Sequence, residues 1–262
     1  MERFPIPPFA AEKITLRLMI GISLVLAFVF GKNQARAEET PREILQRADE
    51  ARGHFNGVTW KVTIFSIEGE RQQEKTLEVK ARGYNFIASL LSPPSVKGQR
   101  LLMVENHMWF MKSGTKKPVP ISPRQRLVGG AAIGDIAATR YAVGYEALFL
   151  PVETVEGEAC YVFDLKANHK KATYDRIKYW ISKERGVGVK AQYFTVSNKM
   201  VKAATFEHKN QIHVNERPIP FISRMVITDA IIQNHVTTLT FSDPTLVDLP
   251  DSTFDLDLLM MD

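Results

Sequence analysis

Residues 92–111 read SPPSVKGQRLLMVENHMWFM, and their pattern decides the fold class. Pro93-Pro94 and a Lys97-Gly98 turn lead into an apolar run, Leu101 to Val104; Glu105-Asn106 interrupts it, and a second run ends in Met108-Trp109-Phe110-Met111. Two short apolar runs parted by two polar residues predict a tight β-hairpin. Both runs are apolar on both faces. One face therefore meets a core, and the other meets a helix, a second sheet or a ligand.

Upstream, the period is again two. Val58, Trp60, Val62 and Ile64 alternate with Thr59, Lys61 and Thr63, as in a half-buried strand. Residues 72–81 and 84–91 continue the pattern between turns at Glu68-Gly69-Glu70 and Arg82-Gly83. Before them, Thr40-Pro41-Arg42-Glu43 is a capping box with proline at the first helical position. Ile44, Leu45, Ala48 and Ala51 follow at helical spacing, and Gly53 ends the helix. Downstream, residues 112–146 break the alternation. They are proline-spaced to Pro123 and glycine-rich from Gly129 to Gly134, and Asp135 is placed to cap a short helix carrying Ile136, Ala137 and Tyr141. This is a long loop with one or two short helices, a candidate lid. Strands are expected again over 147–155, 158–165, 174–182, 188–196, 200–209, 220–228 and 232–241, followed by an extended tail through Leu249-Pro250-Asp251 and Phe254. No βαβ alternation occurs. The expectation is a mainly β (α+β) chain: about ten or eleven antiparallel strands in a strongly curved sheet or open barrel, with helices packed on it.

Residues 1–37 read as a secretory signal: basic Arg3, Lys13 and Arg17, the uncharged run Leu18 to Phe30, and Ala35-Arg36-Ala37 as a cleavage site. The other reading is an uncleaved anchor, yet such a run spans only about 20 Å as a helix against a hydrocarbon core of roughly 30 Å. The working domain is then 38–262. Losing 1–37 removes five of 34 basic and two of 29 acidic side chains, leaving 29 against 27, a net +2. No nucleic-acid footprint remains. The single cysteine, Cys160, excludes an intramolecular disulfide; flanked by Ala159 and Tyr161, it reads as a buried structural thiol.

Catalytic motifs are missing. CxxC, HExxH, EF-hand and GxSxG patterns do not occur, and Gly129 to Gly134 has P-loop spacing but continues Asp135-Ile136 where Lys-Ser/Thr is required. Ser113-Gly114-Thr115-Lys116 fits SxxK but sits in a glycine turn before Pro118, not at a helix start. The six histidines are scattered without ligand spacing. The sequence therefore asks for no cofactor and no metal. Lys116-Lys117 and Lys170-Lys171 are basic loop tips, solvated turns or docking points for lipid headgroups or an acidic partner.

What remains is an excess of apolar side chains on expected strands: Trp60, Val62, Ile64, Phe86, Met103, Trp109, Met111, Phe163, Trp180, Phe194, Met225 and Phe241. Singly each reads as core. As a set they exceed what one helix and a small lid fill, which predicts an incompletely filled cavity suited to acyl chains.

An ordered series of short pieces resembles the outer-membrane lipoprotein-sorting (LolA-like) family of periplasmic proteins. The series is Ile44-Leu45 with Ala48-Asp49, Ser92-Pro93-Pro94 with Lys97-Gly98, Leu102, Met108-Trp109, Gly134-Asp135, Cys160-Tyr161, Tyr179-Trp180-Ile181, Asn198-Lys199, Arg224-Met225, Leu249-Pro250-Asp251 and Phe254. The resemblance implies an open antiparallel β half-barrel closed by helices, in the periplasm. It also implies an apolar cavity that carries lipid or lipoprotein acyl chains, no enzyme activity, a monomer, and an inner-membrane lipid or lipoprotein exporter as partner. Relatives also serve as envelope sensors, so a second expectation is an interaction module that docks a membrane protein through Lys116, Lys117, Lys170 and Lys171.

Overall fold

The computed structural model describes Met1 and residues 39–112, 114–115, 117–137 and 140–261. The expected signal, Ser113 and Lys116 lie outside the described residues.

Thr40 caps α1 (Pro41–Glu50) as its box dictates. Its hydroxyl accepts the Glu43 N–H at 3.3 Å, and the Glu43 carboxylate accepts the Thr40 N–H at 2.8 Å. One stripe of α1 is buried: Ile44, Leu45, Ala48 and, against expectation for a carboxylate, Asp49.

The alternation then becomes strand: β1 (Val58–Glu68), β2 (Arg71–Arg82), β3 (Asn85–Ser92), β4 (Arg100–Val104), β5 (His107–Met111) and β6 (Val119–Ile121). β4 and β5 are the hairpin read from residues 92–111. Its turn residues Glu105 and Asn106 hold φ of 48° and 68°, the left-handed pair that matches strand twist. The lid follows, with β7 (Arg126–Val128), β8 (Ala131–Ala132), α2 (Gly134–Ala137) and α3 (Tyr141–Gly144). The second half comprises β9 (Tyr145–Val155), β10 (Glu158–Ala167), β11 (Arg176–Ser182), β12 (Gly188–Phe194), β13 (Met200–Glu207), β14 (Asn210–Val214), β15 (Arg217–Phe221), β16 (Arg224–Asp229), β17 (His235–Leu246) and α4 (Leu256–Met261).

One antiparallel sheet of thirteen strands runs β6-β5-β4-β3-β2-β1-β17-β16-β13-β12-β11-β10-β9, and β7-β8 and β14-β15 form two small sheets. The large sheet is curved and does not close, as a half-barrel requires. Thirteen strands exceed the ten or eleven expected. β6 was hidden by Pro120 in a proline-spaced stretch. The single strand expected over 220–228 is broken at Ile222-Ser223, where Ile222 N–H bonds the Ala51 carbonyl and the chain passes from the β14–β15 hairpin into the sheet. The tail is not extended. It folds as a 3-10 turn (Asp251–Phe254) and α4, and lays Leu249 and Phe254 on Ile87, Leu102 and Met111. Arg82 holds it by donating to the Leu249 carbonyl at 2.6 Å and pairing with Asp251. Cys160 is free and buried, as expected.

Candidate functional site: a lidded inner face

Period two sorts the sheet's side chains onto two faces. The inner face carries Trp60, Val62 and Ile64 of β1, Phe86 of β3, Met103 of β4, Phe163 of β10, Met225 of β16 and Phe241 of β17, all in one cluster and each no more than 4% exposed. Ile44, Leu45 and Ala48 of α1 pack into this cluster together with Val128, Ala131, Ile133, Ile136 and Tyr141 of the lid. The expected incompletely filled cavity is therefore occupied at rest by the lid's own side chains. Four other candidates lie outside this cluster. Met111 is buried with Leu249 and Phe254 under the C-terminal tail, and Trp109 packs there too. Trp180 is buried with Cys160 and Val162, its Nε1 donating to Glu153 at 2.8 Å. Phe194 lies beneath the Arg176 guanidinium, 5.7 Å from its ring centre. Strands apolar on both faces leave the choice of face open in sequence, and these four took the outer one.

A few polar contacts fasten the lid. Lys202 points inward from β13, only 7% exposed, and donates to the Gly130 carbonyl at 2.7 Å and to Asp135 at 2.9 Å. Asp135, expected as a helix cap, is instead the hub of the lid, accepting from the Tyr174 hydroxyl at 2.6 Å and the Ala132 N–H at 2.8 Å. The Gly130 N–H donates to Thr237 of β17 at 2.8 Å. Neighbouring Gly129 has φ of 52°, and a Cβ there would stand 2.3 Å from the Ser66 and Thr237 hydroxyls. Only glycine lets the lid backbone rest on the sheet at this point. From the helix side, Asp49 accepts the Ala142 N–H at 2.9 Å. Burial pushes the Asp49 carboxyl up to about 7, against the pull of the Ala142 and Tyr141 amides and of Arg52 and Arg140.

The interior is more polar than its sequence announced. Arg52 is 4% exposed, with its guanidinium 4.8 Å from the Phe206 ring centre and 5.6 Å from that of Tyr141. Tyr141 meets Tyr145 and Tyr179 edge-on at 5.4 and 5.0 Å, and Tyr174 and Tyr193 lie 4.1 Å apart. Burial raises the hydroxyl pKa of all five tyrosines. His54 and His208 are pushed down to about 3, by burial first and then by the Arg52 charge, and are neutral. Alternation offered one usable signal: Lys202, Ala204 and Phe206 share a face, so Lys202 had to point inward.

The basic loop tips sit outside this interior. Lys117 is exposed. Lys171 Nζ lies 2.8 Å from His107 Nε2. Lys170 lines an open polar groove of about 860 Å³ beside the Arg176–Asp164 pair. Among the described residues no group of three or more His, Cys, Asp or Glu could hold a metal ion, and no helix is long and apolar enough to cross a membrane.

The chain is similar to solved structures over most of its length. A LolA superfamily protein from Nitrosomonas europaea is 28% identical with a TM-score of 0.75, the match covering 84% of this chain and 99% of that one. An outer membrane lipoprotein-sorting protein domain from Vibrio parahaemolyticus, 16% identical, gives 0.71 over 84% and 97%. A DUF1329 family protein from Desulfovibrio piger, also 16% identical, gives 0.70 over 83% and 97%. No curated protein matches the chain. A family model described as "Uncharacterized protein" matches residues 84–260. The chain belongs to that family, and its fold is LolA-like.

Proposed function

We propose that this chain is a non-enzymatic periplasmic carrier or binder of acyl chains, those of a lipid or of a lipoprotein, serving lipoprotein sorting or lipid transport. Residues 1–37 act as the export signal, cleaved after Ala37, and residues 38–262 form the working domain. The observation that carries the reading is the lidded inner face: a broad apolar surface covered by a separate segment, 126–144, that a handful of polar contacts fasten. Released from these contacts, the lid exposes Trp60, Val62, Ile64, Phe86, Met103, Phe163, Met225 and Phe241. Such a surface takes acyl chains without asking for hydrogen bonds. The likeness to an outer membrane lipoprotein-sorting domain supports the same reading. An inner-membrane exporter is the partner this role calls for. Native mass spectrometry of protein purified from the periplasm without detergent tests the proposal. A discrete adduct of lipid mass is expected; a bare mass, with no uptake from phospholipid vesicles, contradicts it.

A further inference from the structure

Buried polar atoms without partners cost about 1–3 kcal/mol each, and native interiors avoid them. Here they gather around the inner face. Arg52 Nη1, the Tyr179 and Tyr193 hydroxyls and Asp49 Oδ1 are all buried without a hydrogen-bond partner. Arg52 is the conspicuous case. Its charge is enclosed by the rings of Tyr141 and Phe206, and among the described residues no salt bridge neutralises it. The other buried cation of the inner face, Lys202, has Asp135. Asp49, whose charge also acts on Arg52, turns its Oδ2 to the lid amide of Ala142, and burial disfavours its ionised form. The site thus holds a fixed positive charge with a spare donor, set beside the apolar inner face that the lid covers.

We propose that Arg52, with the hydroxyls of Tyr179 and Tyr193, receives the carboxylate of a long-chain fatty acid whose tail lies along the inner face. The proposal rests on the acyl-chain reading and narrows its cargo. A carboxylate is planar and takes two parallel N–H bonds from a guanidinium. The enclosing rings suit that small head better than a phosphodiester carrying glycerol. The hydroxyls supply further donors, and the anion supplies the partner that each of these groups lacks.

The test compares palmitate, methyl palmitate and phosphatidylglycerol on the mature protein and on Arg52→Met, Tyr179→Phe and Tyr193→Phe variants. Wild type should bind palmitate about tenfold more tightly than its ester. Arg52→Met should erase that preference while leaving the ester's affinity within about threefold. The phenylalanine variants guard against a misfolded Arg52→Met. Each removes one oxygen and leaves the ring in place, so each should stay folded yet bind palmitate more weakly. Equal affinity for acid and ester, as a site filled by water alone would give, overturns the proposal. An equal loss of phosphatidylglycerol binding in Arg52→Met overturns the carboxylate assignment. If no long-chain ligand binds wild type, the carrier reading fails. Hexanoate then tests the anion site by itself: a shift of the Arg52 Nε–H resonance in NMR supports it, and no shift overturns it.

Discussion

Lys202 shows how one residue sets the resting state of this protein. The alternation of β13 turns it inward, where Asp135 and the Gly130 carbonyl accept from its ammonium. Removing one partner of a buried pair costs about 3–5 kcal/mol, while replacing both costs far less. Lys202→Met should therefore lower the melting temperature and raise the fluorescence of a dye that reports exposed apolar surface. Adding Asp135→Asn should recover much of both. Asp49 makes a second prediction, through pH. Its carboxyl is raised in the folded chain from an ordinary value near 3.8 to about 7. The folded state then holds a proton that the unfolded state has lost, so this contribution to stability is complete below about pH 4 and fades as the pH rises to about 7. Melting temperatures of wild type and Asp49→Asn across that window should diverge as pH rises, wild type losing ground, and run parallel above it.

At the scale of elements, the lid hairpin β7–β8 depends on Gly129. A side chain there meets both the positive φ and the Ser66 and Thr237 hydroxyls. Gly129→Val should prevent the lid from seating, which limited proteolysis would report as faster cleavage within 112–146 while the sheet stays intact. The elements also show what a sequence can tell. The capping box at Thr40, the Glu105-Asn106 turn and the alternation of β1 are local rules, and each was legible. The lid's place over the inner face was not, because Lys202 and Gly130 are fixed together only by the tertiary fold. The placement of Trp109, Met111 and Trp180 failed for a related reason. Period two separates two faces but does not say which is inner when both are apolar, and the tail that covers Met111 read as extended chain. The tyrosine- and arginine-bearing interior was invisible for a third reason. Tyr179 and Tyr193 are ordinary strand residues until Arg52 is brought among them.

At the scale of the whole molecule, an open β half-barrel keeps its apolar inner face from water with its own lid, and the proposed carrier role requires that lid to lift. Lid movement is the central claim, and the geometry offers a direct lock. A Cβ at Gly130 would stand 4.0 Å from that of Ile227 on β16, within the span a disulfide bridges. The deciding measurement is lipid uptake from phospholipid vesicles by a Gly130→Cys/Ile227→Cys variant, with Cys160→Ser to leave no third thiol, in oxidised and reduced forms. The account predicts no uptake when the bridge is closed and uptake near the wild-type level when it is reduced. Equal uptake in both forms would show that cargo does not enter beneath this lid, and would contradict the account.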